Sequence, residues 1–205
     1  MALTAQQLEV NPTEIKDPPI AKFLFGSRVM AIVWLFARLY VGYQWVTSGW
    51  GKVNNPQWME TGAALKGFWV NAAKIPEAAG AKPAITFDWY RSFLQYMLDT
   101  EAYTWFGKVI ALSELAIGLC LIVGLFTGIA AFGGATLNFN FMLAGTASTN
   151  PLLFALAVGL ILAWKVAGYY GLDRYLLPLL GTPWQLGTLI APNETRRITG
   201  RPVLA

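Results

Sequence analysis

The 205-residue chain contains no histidine and one cysteine, Cys120. Without histidine there are no ligands for bis-histidine haem, Rieske clusters or imidazole-based metal sites, and a lone thiol can neither close an internal disulfide nor run a dithiol relay. Any redox role must borrow its electron carrier, either a diffusible quinone or a partner subunit. No cofactor held by protein ligands is expected. Charge is scarce as well: Asp, Glu, Lys and Arg make up 13% of residues, about half the share usual in soluble domains. The first 25 residues lack a continuous apolar core and mix Glu9, Glu14 and Asp17 with Lys16 and Lys22. A cleavable signal peptide is therefore not expected, and the first span would act as its own insertion signal.

Apolar residues, at 56%, and aromatics, at 14%, are abundant instead, which marks an integral membrane protein. Apolar runs predict four spans, at about 27–50, 104–124, 127–145 and 151–170, each near the length needed to cross a bilayer. They lie in a membrane domain of residues 27–176. A polar tail, 1–26, precedes it with an Asp17-Pro18-Pro19 breaker, and a basic tail, 177–205, follows, punctuated by Gly181, Pro183 and Pro192. Between the first two spans, residues 56–103 are too polar to cross. Leu65, Phe68, Trp69, Ala72 and Ala73, and then Tyr90, Phe93, Leu94, Met97 and Leu98, recur at i, i+3, i+4, i+7 and i+8, predicting two amphipathic helices separated by Pro76–Pro83. Asn55 and Pro56 read as an N-cap and first helical residue, Thr127 as the N-cap of the third span, and Asn150-Pro151 as the start of the fourth. The fold class is all-α, an integral membrane four-helix antiparallel bundle of left-handed twist, with an amphipathic helical insertion between the first and second spans.

Net charge is +4. The tails hold Lys16, Lys22, Arg28, Arg174, Arg196, Arg197 and Arg201, whereas the insertion balances Lys52, Lys66, Lys74, Lys82 and Arg91 against Glu60, Glu77, Asp88, Asp99 and Glu101. The positive-inside rule then places both termini in the cytoplasm, in a multi-pass protein of the inner (cytoplasmic) membrane, with the insertion outward. The basic tails are cytoplasmic retention signals and not a nucleic-acid surface.

The candidate site starts from a charge in an apolar run. Arg38, Gly42, Trp45, Gly49 and Lys52 share one helical stripe, as do Gly107, Ala111, Glu114 and Gly118 in the second span, and Thr127, Ala131, Gly134, Asn138, Phe141 and Gly145 in the third. At 1.5 Å per residue, Arg38, Glu114 and Asn138 lie about 17, 15 and 17 Å into their spans. An arginine at that depth needs a partner. The expectation is a cluster in which Glu114 neutralises Arg38 and Asn138 satisfies its remaining donors; such a cluster serves function and inter-helix glue equally well. Lys165 and Lys108 read as snorkelling side chains, and Asp173 and Arg174 as solvated, with Asp173 able to cap or pair in its layer. The nine tryptophans read first as an interfacial belt. The functional alternative is an aromatic slot for a quinone at Trp45, with Lys52 and Arg91 at its mouth to attract an anion.

The first-span ARLYVGYQWVTSGWGKV, the second-span ELAIGLCLIVGLFTGIAA from Glu114 and the closing GLDRYL from Gly171 resemble the DoxX/DoxD group of four-span membrane proteins across residues 27 to 176. The long insertion is similar to the DoxD side, the large-subunit type of thiosulfate:quinone oxidoreductase. The resemblance implies a membrane redox component that couples two thiosulfates to tetrathionate and passes the electrons to quinone. It carries Arg38, Glu114 and Lys52 over as the polar positions, with Asn138 a looser match. On this reading Arg38 and Glu114 are catalytic, Lys52, Arg91 and Asn138 bind substrate, and Trp45 binds quinone. A non-catalytic accessory subunit of a larger respiratory or photosynthetic membrane complex stays open beside it, with lipid, quinone and other subunits as partners. A small-solute carrier is disfavoured, because no span is broken by proline.

Overall fold

A computed structural model describes residues 17–77 and 80–180. The punctuation at Gly181, Pro183 and Pro192, the arginines at 196, 197 and 201, and residues 1–16 lie outside them. The described residues form helices and turns with no strand. Four helices carry most of the length: α2 (Ala31–Val53), α6 (Tyr103–Val123), α7 (Thr127–Leu143) and α8 (Asn150–Leu162). The short α1 (Pro19–Gly26) precedes them, α3 (Pro56–Met59), α4 (Ala63–Ala73) and α5 (Asp88–Asp99) form the insertion, and α9 (Trp164–Ala167) and α10 (Asp173–Leu179) follow. Of the four expected spans, α6 alone is long and apolar enough by itself to cross a membrane among the described residues; α1 and α2 meet that test only as a pair bent by 57°.

Small residues set the spacing of the central pair, α2 and α6. A Cβ on Gly49 would lie 2.5 Å from Leu115 N, and one on Gly118 would lie 2.5 Å from Val46 N. The two backbones therefore meet along the Gly42-x6-Gly49 and Gly118 stripes, running antiparallel, since Gly42 faces Gly118 and Ile122 while Gly49 faces Leu115. This close approach is the use to which glycine stripes are put in helix pairs. Arg38, Gly42, Trp45 and Gly49 are buried, as are Gly107, Ala111, Glu114 and Gly118, and in α7 Thr127, Ala131, Gly134 and Asn138. The stripes face inward as expected.

The insertion packs largely as its periodicity predicts. Leu65, Trp69 and Ala72 of α4 and Tyr90 and Leu94 of α5 are buried, forming with Ile85, Tyr103 and Ile110 an apolar core, whereas Phe93, expected on the same face of α5, is exposed. Asn55 caps α3 by accepting from Gln57 N at 2.9 Å. Tyr90 donates to Asn140 O at 3.1 Å, fastening α5 to α7, and burial pushes its hydroxyl above the usual tyrosine range, which keeps it a donor.

Two expected caps are corrected. Thr127 is the first residue of α7, not its N-cap; Phe126 precedes it at φ 46°, and the helix end is closed from a distance by Asp173, which accepts from Phe126 N at 2.6 Å and Thr127 N at 2.8 Å. Asn150 likewise lies inside α8, with Thr149 before it. Residues 19–26, read from sequence as tail, form α1, which turns back on α2 where Trp34 donates to Leu24 O at 2.7 Å and stacks on Phe25.

Candidate functional site

Two buried charge clusters lie near opposite ends of the α2–α6 pair. The expected Arg38–Glu114 ion pair is not formed. Glu114, wholly buried, is level with Gly49, while Arg38 lies 11 residues earlier in α2, about 16 Å of helical rise away.

At one end, Lys52 Nζ donates to both carboxylate oxygens of Glu114 at 2.5 Å and to Ser48 Oγ at 3.0 Å, and Ser48 donates to Glu114 Oε2 at 2.8 Å. Ser48 and Lys52 are one turn apart on α2, so the lysine stem reaches back across that turn to the facing helix. The ammonium lies 5.0 Å from the ring centroid of Trp58 and 5.6 Å from that of Phe141, within cation–π range. This group forms one wall of a cavity of about 330 Å³. Trp45, Phe68 and Asn138 complete the wall, and the 146–150 turn closes the end. Within it, Trp45 Nε1 and both polar atoms of the Asn138 side chain are buried without a protein hydrogen-bond partner.

At the other end, Arg38 is 1% exposed and donates from Nη2 to Tyr170 O at 3.1 Å. Nε and Nη1 have no hydrogen-bond partner among the described residues, and the carboxylate that acts on the guanidinium through space is Asp173, read from sequence as solvated or able to cap or pair in its layer; Asp173 is 1% exposed. Gly124, at φ 70°, and Gly171 let the guanidinium pack directly on backbone, since a Cβ on either would collide with Nη1. Leu172 N and Asp173 N donate to Val123 O and Gly124 O at 3.1 and 2.8 Å, which pins the GLDRYL segment on the α6–α7 turn. No family model, curated protein or solved structure matches the chain.

Of the sequence-predicted residues, the structure brings together Trp45, Lys52, Glu114 and Asn138 around one cavity and leaves out two. Arg38 belongs to the opposite cluster. Arg91 is not at the cavity mouth: it pairs with Asp88 one turn before it and donates to Ile85 O at 2.6 Å. Sequence reasoning missed Ser48, although its position four residues before Lys52 was a usable signal; of its two readings of Asp173, solvated or capping and pairing in its layer, the capping one holds.

The remaining chemistry of the cavity is proton handling. A buried carboxyl, a hydroxyl and an ammonium hydrogen-bonded to one another hold exchangeable protons at its wall, and of the two charged groups Lys52 is the more accessible, its side chain being 18% exposed against 0% for Glu114.

Proposed function

We propose that the chain is a four-span inner-membrane protein of the DoxX/DoxD kind, with both termini cytoplasmic, serving as a subunit of a thiosulfate:quinone oxidoreductase-like system. Three helix lengths support the crossings: α2, α6 and α7 have 23, 21 and 17 residues, or about 35, 32 and 26 Å at 1.5 Å per residue, against a hydrocarbon core of about 30 Å; α8, with 13 residues or about 20 Å, is shorter but apolar beyond Asn150. The outward faces of α2, α6, α7 and α8 are apolar, with Phe36, Leu112, Leu119, Ile129, Phe132 and Leu162 all exposed.

The observation that carries the functional reading is the buried Glu114–Lys52 pair on the wall of an aromatic cavity. Joining two thiosulfates through a sulfur–sulfur bond to give tetrathionate releases two electrons, and a quinone that takes both must also take two protons to become quinol. Glu114, Ser48 and Lys52 are the groups of this chain that would deliver them, since they carry exchangeable protons, are hydrogen-bonded to one another and line the cavity. Trp58, Phe68 and Phe141 offer flat apolar faces to a ring.

The test is thiosulfate-dependent reduction of decylubiquinone in gently solubilised membranes. Glu114→Gln is expected to lower turnover at least tenfold, a typical size for loss of a proton-transferring group, while Arg91→Ala leaves it unchanged. Full activity in Glu114→Gln would defeat the proposal.

The accessory-subunit reading is favoured by one observation. Phe87, Trp89, Phe93 and Tyr96, on and beside α5, are all exposed, at 44–64%, an aromatic surface suited to a protein contact. Co-purification in fixed ratio with a large complex, with no thiosulfate-dependent turnover, would favour it.

A further inference from the structure

The charges around the cavity decide what class of molecule it takes. Among its lining residues only Lys52 and Glu114 carry charge, and the ammonium is 2.5 Å from both carboxylate oxygens. The wall is therefore neutral overall, and its field is that of a short dipole which falls off steeply with distance. The other two cations that would draw in an anion are elsewhere: Arg38 is buried at the far cluster, donating to Tyr170 O, and Arg91 is held by Asp88 and Ile85 O. A dianion entering this space would meet the Glu114 carboxylate with no cation free to compensate it.

The unpartnered groups say what a ligand must offer. Trp45 is 3% exposed and its Nε1–H is a donor without a partner; Asn138 is 0% exposed and its amide donor and carbonyl acceptor are both unpartnered. Buried polar groups in folded proteins are otherwise paired in the great majority of cases, and here three such atoms belong to two residues of one cavity's lining. Both residues meet one face of α7: a Cβ built on Gly134 would lie 2.9 Å from Trp45 Nε1, and Asn138 follows Gly134 by one helical turn. A carbonyl oxygen seated between them would have the indole N–H and Nδ2 as donors.

We propose that this cavity binds an uncharged single-ring carbonyl compound through Trp45 Nε1–H and the Asn138 carboxamide and excludes thiosulfate, so that the sulfur anion is oxidised on another polypeptide. The volume, about 330 Å³, is at the small end of ligand cavities and suits one ring, with any tail leaving toward lipid. The inference rests on the redox reading of the same cavity and assigns which of the two reactants this chain holds.

The experiment is equilibrium titration of the full chain in phosphatidylcholine nanodiscs with decylubiquinone and, separately, with thiosulfate, alongside thermal unfolding of each variant. Saturable decylubiquinone binding is expected, weakened at least tenfold in Asn138→Leu and in Trp45→Phe, together with no saturable thiosulfate binding. Asn138→Leu is near-isosteric and removes both unpartnered amide atoms, so its unfolding temperature is expected to stay level or rise, as replacing unsatisfied buried polar groups by apolar ones allows; a purely structural asparagine would give a fall. Saturable thiosulfate binding, wild-type decylubiquinone affinity in both variants, or no decylubiquinone binding by the wild type would each overturn the inference. Decylubiquinone binding with the expected variant losses but no thiosulfate-linked turnover in membranes would sink the thiosulfate reading and leave this one standing.

Discussion

Asp173 has two structural tasks that lie apart from the proposed redox site. Both carboxylate oxygens accept from the first amides of α7, and the same group is the charge opposing the buried Arg38. Removing a helix cap costs about 0.5–2 kcal/mol, and taking away the carboxylate that opposes a buried guanidinium adds to that cost. Asp173→Ala is therefore expected to be among the most destabilising single changes in the molecule, well beyond a simple cap deletion. Asp173→Asn keeps acceptor oxygen for one amide but not the charge and should fall between. Denaturation of the purified variants in detergent checks the order; equal stability of Asp173→Ala and wild type would show that Arg38 is satisfied without it. The sequence made the need for a partner legible, because an arginine in an apolar run demands one, but it pointed to the wrong carboxylate. Asp173 follows the fourth span and reads first as solvated, with capping or pairing in its layer as the alternative, and only the tertiary fold brings the 171–173 turn against Gly124.

Why the depth argument failed is a matter of register between elements. Helical periodicity is local, so the inward faces of α2, α6 and α7 could be read from the spacing of small and polar residues alone, and so could the amphipathic faces of α4 and α5. How far one helix slides past another leaves no trace in hydropathy. Here α2 runs about two turns past the α6–α7 turn, which puts Arg38 in the layer of that turn and brings Lys52 down to Glu114. The register is fixed instead by where backbones can touch. Adding a Cβ at Gly118 forces it against Val46 N and Gly42 O, and overpacking of this kind costs about 1–3 kcal/mol. Gly51, in the same helix as Gly42, has nothing within 4 Å of a built Cβ; alanine there removes a flexible residue from an exposed helix and should stabilise by about 0.5–1 kcal/mol. Opposite signs for Gly118→Ala and Gly51→Ala in one unfolding assay are the expected result. Equal, small effects at both would mean that the α2–α6 contact does not set the spacing.

For the whole molecule, the alternation of ends is what distinguishes four crossings from one. The insertion and the 144–150 turn meet at the cavity end: Trp58 and Phe68 line it together with Thr146 and Asn150, and Gly145 faces Ala84. The α6–α7 turn and the 171–173 turn meet at the opposite end, around Arg38. If all four long helices cross, residues 82 and 148 are on one side of the membrane and residues 22 and 165 on the other. If α6 alone crosses, 148 joins 165 and 22 joins 82. Lys22, Lys82, Ser148 and Lys165 are all exposed, so single cysteines placed at each, in a Cys120→Ser background, report their side by reaction with a membrane-impermeant maleimide on intact cells. Labelling at Lys82→Cys and Ser148→Cys, with Lys22→Cys and Lys165→Cys reacting only after permeabilisation, is the expected pattern. It would place the cavity, with its Glu114–Lys52 pair, at the outward end of the bundle and the Arg38–Asp173 cluster at the cytoplasmic end. Quinone protons would then be drawn from the outer side. Reaction of Ser148→Cys only alongside Lys165→Cys would leave α6 as the sole crossing and remove the membrane path by which a lipid-soluble ring reaches Trp45.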